Sequence, residues 1–232
     1  MAVVCIIYGK SGAGKSRSIK GFGPDDVTVV KALEKEFPFR NTFNYTTQTD
    51  DLRKIAGVIL KAKTNAVVVD DFGYTMVNAW MREHSKKGSG SSVFDTYNNI
   101  ADTVWAFMDF ITDNSKVPRD RIVYLTMLED KSDAGETRLA TIGRILDEKA
   151  PLAGRVTIVL RAVVKDGQHV FITNTDGSDI AKSPEGMFAD AVIPNDLAAV
   201  DKAIRDYWRL KALTDRPAPE AKPSEKGDEV NG

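Results

Sequence analysis

Cysteine and histidine are scarce in this chain of 232 residues. A single cysteine cannot form an internal disulfide, and Cys5 lies in an apolar run, where a buried structural thiol is the usual role. The two histidines, His84 and His169, have no metal-ligand spacing and are interpreted as ordinary surface or strand residues. These scarcities exclude a disulfide-stabilised scaffold and a histidine–cysteine metal site, and they agree with a reducing cytoplasm.

An excess of charge and a long hydrophobic run are also missing. Lys plus Arg number 32 and Asp plus Glu number 33, a formal charge of −1, so any contact with nucleic acid must come from a local patch. The first apolar run, residues 2–8, is too short for a membrane span and leads directly into a polar loop, unlike a removable signal peptide. We therefore expect a soluble, cytoplasmic protein without a membrane partner.

The composition predicts one domain with a tail. A hydrophobic content of 42% is ordinary for a globular protein with a sizeable core, and we assign residues 1–213 to a single domain. Residues 214–232 are rich in Pro, Glu, Lys and Gly with hardly an apolar side chain, so this tail is predicted to be disordered.

A glycine-rich loop, Gly9–Ser16, follows the first predicted strand and precedes a predicted helix over residues 15–21. Its sequence fits the pattern G-x-x-x-x-G-K-[ST], in which glycines let backbone N–H groups point at phosphate oxygens. The motif predicts a P-loop that binds ATP, with Lys15 reaching the β- and γ-phosphates and Ser16 binding Mg²⁺. The predicted ATP contacts are Gly9, Lys10, Ser11, Gly12, Ala13, Gly14, Lys15, Ser16 and Arg17.

Two carboxylates end a short apolar strand over residues 66–71, Ala-Val-Val-Val-Asp-Asp. This is the form of a Walker B element, and Asp70 is predicted to hold Mg²⁺ together with Ser16, because a hard cation prefers oxygen ligands. Asp71 is the candidate for the carboxylate that orients or deprotonates the attacking water. The alternative is that the pair merely forms a turn.

A further apolar strand, residues 121–127, ends near two polar candidates. In P-loop ATPases such a strand carries a polar residue that senses the γ-phosphate, and Thr126 and Glu129 are the candidates here. The acidic stretch after it, residues 130–136, is predicted to be a surface loop.

The remaining pattern predicts an α/β fold. Helices are expected over residues 52–63, 72–84, 94–113 and 197–210, the first of them capped by Asp50 and Asp51. Two late strands, residues 156–164 and 169–173, are joined by Lys165-Asp166-Gly167-Gln168, a tight-hairpin signal. We therefore expect a mainly parallel sheet, flanked by helices and extended by a C-terminal antiparallel hairpin.

A basic loop rich in glycine and serine, residues 85–92, separates the second and third predicted helices. Lys86 and Lys87 lie side by side in it. The loop is either a solvated connection or a contact for single-stranded DNA or a substrate, since a flexible basic segment can follow a phosphate chain.

The stretch Lys182-Ser183-Pro184-Glu185-Gly186-Met187-Phe188, followed by Ile193-Pro194-Asn195-Asp196-Leu197, is the most specific motif in the chain. With residues 8–16, 66–72, 121–129 and 143–151, it resembles the bacteriophage nucleotide-binding ATPases of RecA-like type, over residues 2–208. The resemblance implies a RecA-like P-loop NTPase core whose sensor strand lies between the P-loop and Walker B strands. Relatives tend to carry His at the position of Met127.

The resemblance also implies a function in phage DNA recombination or replication, some relatives being single-strand annealing proteins. The favoured hypothesis is a magnesium-dependent, DNA-dependent ATPase that binds and anneals single-stranded DNA in the host cytoplasm. One alternative is a nucleotide-gated adaptor for a phage replication or single-strand-binding protein. A small nucleotide kinase is less favoured, because residues 86–92 lack the arginine of a typical kinase lid.

Assembly into a homo-oligomer, ring or filament, is expected because RecA-like ATPases commonly bind nucleotide at a subunit boundary. A cation from the neighbouring subunit would then stabilise charge on the γ-phosphate. Lys182 is the favoured catalytic candidate and Arg161 the second.

Overall fold

The computed structural model describes residues 2–84, 91–132 and 134–213. Within these ranges the chain forms a nine-stranded sheet with helices on both faces. The strands are β1 (Val3–Gly9), β2 (Val27–Lys31), β3 (Tyr45–Gln48), β4 (Ala66–Asp70), β5 (Ile122–Lys131), β6 (Thr137–Leu139), β7 (Ile158–Lys165), β8 (Gln168–Ile172) and β9 (Val192–Pro194). The helices are α1 (Leu52–Lys61), α2 (Gly73–Glu83), α3 (Ser91–Thr112) and α4 (Leu197–Trp208).

The strand order is β3-β2-β4-β5-β1-β7-β8-β9, with β6 pairing to β5. The strands from β3 to β7 in this order pair in parallel, whereas β8, β9 and β6 pair antiparallel. The prediction of a mainly parallel α/β sheet with a C-terminal hairpin is confirmed, and the architecture is compatible with a Rossmann or RecA-like core. Asp166 and Gly167 make the hairpin turn with φ of 51° and 75°, as a tight two-residue turn requires.

The sheet separates two apolar layers, because successive side chains of a strand point to opposite faces. On β1, Val4 and Ile6 pack with α1, α2 and α3, while Cys5 and Ile7 pack with α4 on the other face. The central strands are therefore apolar on both sides, as is usual for a parallel sheet covered by helices. This packing holds the carboxyl ends of β1, β4 and β5 next to one another, where the glycine-rich loop and Asp70 lie.

Several local predictions are wrong. The segment after the glycine-rich loop is a 3₁₀ helix, Ser16–Gly21, instead of a regular α-helix. Residues 130–136 are not simply a surface loop, because β5 continues to Lys131 and pairs with β6. The edge strands β3 and β9 had no prediction, because they are short and become strands by pairing with distant segments.

Two predicted features lie outside the described residues. These are the basic pair Lys86 and Lys87 and the tail, residues 214–232. Among the helices that the structure does describe, none has the length and apolar character needed to cross a membrane.

Candidate functional site

The glycine-rich loop leaves the carboxyl end of β1 and turns back on itself. Gly12 and Gly14 have φ of 79° and 103°, a region that side-chain-bearing residues rarely adopt. The turn is closed by hydrogen bonds from Ala13 N–H to the Lys10 carbonyl (3.1 Å) and from Ser18 N–H to the Gly14 carbonyl (2.9 Å). At the start of the loop a Cβ on Gly9 would lie 2.3 Å from the Ala162 carbonyl oxygen of β7, so this position requires glycine.

Lys15 is nearly buried, with 6% of its surface exposed. Its ammonium donates to the carbonyl oxygens of Gly9 and Lys10, both at 2.8 Å. Burial lowers the pKa of Lys15, and the attraction of Asp71 and Asp70 opposes that shift. The loop thus curls around a positive charge, which is the arrangement needed to hold a phosphate chain.

Ser16, Asp70 and Thr126 form a connected oxygen cluster below the loop. The hydroxyls of Ser16 and Thr126 donate to the same oxygen of Asp70, Oδ1, at 3.0 and 2.8 Å. Burial raises the pKa of Asp70, and the adjacent carboxylate of Asp71 raises it further, against the effect of these hydrogen bonds. The sequence prediction that Ser16 and Asp70 lie together is therefore met by a direct contact between side chains 54 residues apart.

Asp71 follows β4 in the left-handed region, with φ of 58°. Such a backbone costs on the order of 1 kcal/mol for a residue other than glycine. Its N–H donates to Thr126 Oγ1 at 2.7 Å, which helps to hold this conformation. The carboxylate forms an ion pair with Lys35, a residue that the sequence interpretation did not select. Asp71 thus lies in the turn after β4 and also pairs with Lys35, and its action on the attacking water stays a prediction.

A cavity of about 520 Å³ lies between the glycine-rich loop and the segment after β2. Its wall includes Gly12, Lys15, Ser16, Lys35 and Asp71. The volume is within the range of about 300–1,000 Å³ that is usual for small-molecule sites. Ser11 and Arg17, two further predicted ATP contacts, also line this cavity.

Glu129 lies on the other side of the glycine-rich loop. It borders a separate cavity of about 400 Å³ with Lys10 and Ala13, and its carboxylate pairs with Arg161 at 3.2 Å. Arg161 also pairs with Asp179 at 3.2 Å. The structure thus brings Thr126 to Asp70 and Asp71 but places Glu129 elsewhere, and it holds Arg161 between two carboxylates.

Lys182 is joined to β7 through its backbone. Its N–H and carbonyl both bond to Val159 at 2.8 Å, and its side chain is half-buried. Burial lowers the pKa of this ammonium. Within the described part of the chain, Lys182 is absent from the wall of the 520 Å³ cavity, so the catalytic function assigned to it across a subunit boundary stays a prediction.

His169 on β8 is a contact that the sequence interpretation missed. Its Nδ1 lies 3.0 Å from the carbonyl oxygen of Ala13, which can only accept, so Nδ1 carries the proton. A Cβ on Gly14 would meet His169 Nδ1 at 2.8 Å and Asn195 Oδ1 at 3.0 Å. Asn195 is 4% exposed, and both polar atoms of its amide lack a hydrogen-bond partner within the part of the chain that the structure describes. The hairpin therefore supports the back of the glycine-rich loop.

The donor set suits a magnesium ion bound jointly with phosphate. Within residues 2–84, 91–132 and 134–213 no cluster of three or more His, Cys, Asp or Glu side chains could hold a metal alone. Ser16 and Asp70 supply a hydroxyl and a carboxylate oxygen, and Mg²⁺ commonly takes one or two such protein ligands and completes its shell with water and phosphate. The assignment of Mg²⁺ to these two residues remains a prediction that fits the chemistry.

Comparison of the sequence with models of known protein families gives no match, and a search of curated proteins gives none either. The assignment of function consequently depends on the geometry of the site and on the motif resemblance.

Proposed function

We propose that this protein is a magnesium-dependent ATPase with a RecA-like core, acting on single-stranded DNA in phage recombination or replication. The observation that carries the ATPase assignment is the single cavity that Lys15, Ser16 and Asp71 share beside Asp70. A buried cation, a metal-binding pair and a second carboxylate beside the cavity are the groups that phosphoryl transfer needs.

The function of each side chain follows from its position. The loop amides and Lys15 bind the phosphate chain, while Ser16 and Asp70 hold the metal ion, which neutralises phosphate charge when bound. Thr126 fixes the orientation of Asp70 through the 2.8 Å hydrogen bond and supports the backbone of Asp71. Asp71 orients the attacking water or accepts its proton, because its carboxylate faces the cavity.

The strand order supports a RecA-like core. β5 lies between β1, which carries the glycine-rich loop, and β4, which carries Asp70. This is the arrangement that the motif resemblance implies for the sensor strand. The resemblance alone supports the annealing of single-stranded DNA and the assembly into a ring or filament.

The decisive experiment measures release of phosphate from ATP by the purified full-length protein, with and without single-stranded DNA and with Mg²⁺ present or chelated. We expect hydrolysis that requires Mg²⁺ and that rises when single-stranded DNA is added. Annealing of complementary strands is followed in parallel with a fluorescence-quenching assay.

The alternatives give different outcomes. Magnesium-dependent hydrolysis without any response to DNA, together with capture of a replication protein only when ATP is present, would favour the adaptor. Transfer of phosphate to an added nucleoside or nucleotide would favour the kinase. Failure to bind or hydrolyse any nucleotide would contradict the ATPase assignment itself.

A further inference from the structure

The segment between β2 and β3 brings a second lysine to the candidate site. Lys35 pairs with Asp71 and forms part of the same cavity wall as Lys15 and Ser16. Its side chain is 46% exposed, whereas that of Asp71 is 8% exposed. One partner of this ion pair is therefore held in the protein, and the other reaches it from solvent.

The backbone around Lys35 is anchored, although the Lys35 side chain is half exposed. Two residues along, Phe37 is buried and packs on Phe39 and Phe43, with ring centroids 5.2 and 5.9 Å away. The Lys31 ammonium also lies 5.2 Å from the Phe37 ring centroid. This aromatic cluster holds the segment next to the cavity, while the four-carbon stem of Lys35 remains free to reorient its charge.

The two lysines of the cavity differ in their partners. Lys15 donates to two loop carbonyls and is nearly buried, so its position is fixed by the loop. Partial burial acts to lower the pKa of Lys35, but the hydrogen bond with Asp71 and the charges of Asp71 and Asp70 together outweigh burial and raise it. A doubly charged terminal phosphate attracts an ammonium more strongly than one carboxylate does.

We propose that Lys35 is the ligand of the terminal phosphate of a nucleoside triphosphate, acting within the same chain, and that this contact releases Asp71. The inference rests on the proposed ATPase function and extends it. Lys35 makes the site select a triphosphate over a diphosphate, and it keeps Asp71 paired until the terminal phosphate arrives. Coupling of this kind requires a mobile cation that two anions share, which is the position of Lys35.

The test measures equilibrium binding to the full-length protein with Mg²⁺, using fluorescent ADP and a fluorescent ATP analogue whose β–γ bridge is methylene. In Lys35→Ala we expect affinity for the triphosphate analogue to fall about tenfold, as for one lost charged hydrogen bond. Affinity for ADP should stay within twofold of the unaltered protein. Lys35→Arg keeps the charge and should restore most of the selectivity.

A matched control is Lys116→Ala. Lys116 is 55% exposed and pairs with Asp113 at 3.4 Å, away from the cavity. It should leave both affinities unchanged. Asp71→Asn removes the competing anion, so the triphosphate analogue should bind at least as tightly as to the unaltered protein. Circular dichroism checks that each variant is folded, and Lys35→Gln replaces the alanine variant if that one unfolds.

The outcomes separate this inference from the proposed function. If the unaltered protein binds neither nucleotide, the ATPase proposal fails, and this inference with it. If it prefers the triphosphate and Lys35→Ala keeps that preference, or loses both affinities equally, the ATPase proposal stands and the assignment of Lys35 is overturned.

Discussion

Two buried polar clusters of this molecule both contain carboxylates and cations, but one is enclosed by the protein and the other borders a cavity. The first, here called the α4 cluster, consists of Tyr124, Asp201 and Arg205. Asp201 has no exposed surface, accepts from Tyr124 Oη at 2.8 Å and pairs with Arg205 through both carboxylate oxygens. The other N–H groups of Arg205 donate to three backbone carbonyls at 2.8, 2.8 and 3.0 Å. The opposite charges of Asp201 and Arg205 are thus paired with each other inside the protein.

The second, the loop cluster, consists of Lys15, Ser16, Asp70, Asp71 and Thr126. Ser16 and Thr126 both donate to Asp70, but the cluster borders a cavity, and Asp71 pairs with Lys35, a half-exposed lysine. The α4 cluster is a closed network, in which every charge has a buried partner, and it ties α4 to β5. The loop cluster is open, because its charged side chains border a cavity that a ligand can enter. The difference predicts that substitutions in the α4 cluster lower stability and that those in the loop cluster lower activity.

The largest effect is expected for Arg205→Met, which leaves the Asp201 charge buried without its partner. Breaking a buried pair in this way costs about 3–5 kcal/mol of unfolding free energy. Urea denaturation followed by circular dichroism measures it. Lys202→Met on the same helix removes an exposed pair, with side chains 78% and 65% exposed, and should cost less than about 1 kcal/mol. Equal losses in the two variants would contradict the closed-network interpretation.

Lys15→Ala tests the loop cluster. We expect ATP hydrolysis to fall by at least about 100-fold, the usual effect of removing a group that stabilises developing charge. The thermal midpoint should stay close to that of the unaltered protein. Lys116→Ala, which removes an exposed lysine away from the cavity, should keep normal activity. Normal turnover by Lys15→Ala would disprove the site assignment.

Asp71→Asn separates the two adjacent carboxylates. Hydrolysis should decrease about 100-fold while nucleotide binding survives, since a group that acts on water is not needed to hold phosphate. Asp70→Asn should instead weaken the dependence of binding on Mg²⁺. Phosphate release and nucleotide titrations are compared for both. If binding is lost equally in both variants, Asp71 belongs with the metal ligands.

The smallest effect on stability is expected for the surface ion pair between Asp50 and Arg82. Partial burial of Asp50 works to raise its pKa, but hydrogen bonds from Arg82 and Asn78 outweigh burial, and the pKa is lowered. Such a carboxylate stabilises the protein above the unfolded pKa of about 3.9 and loses that contribution as pH falls through the lower folded value. Asp50→Asn should cost less than about 1 kcal/mol at pH 7.

Thermal melts between pH 2 and pH 7 test this sign. The difference between Asp50→Asn and the unaltered protein should shrink as the solution becomes more acidic. A difference that grows below pH 4 would show that the pair has another function.

Local chemistry made much of the fold predictable. Asp51 caps α1 by accepting from the N–H groups of Arg53 and Lys54 at 2.8 and 3.4 Å. The hairpin after β7 was indicated by Asp166 and Gly167. Helical spacing alone would misplace Tyr207, which follows the buried Val200 and Ile204 at that spacing but is 42% exposed. It is the last residue but one of α4.

The sequence by itself determined the glycine-rich loop, the carboxylates after β4 and the alternation of buried strands with helices, because each depends on residues close together in the chain. The tertiary structure decided which distant groups meet. Asp71 meets Lys35 from another strand connection, and His169 reaches Ala13 across 156 residues. No periodicity records such contacts, since the packing of the sheet, and not the spacing of residues along the chain, sets the distance between its loops.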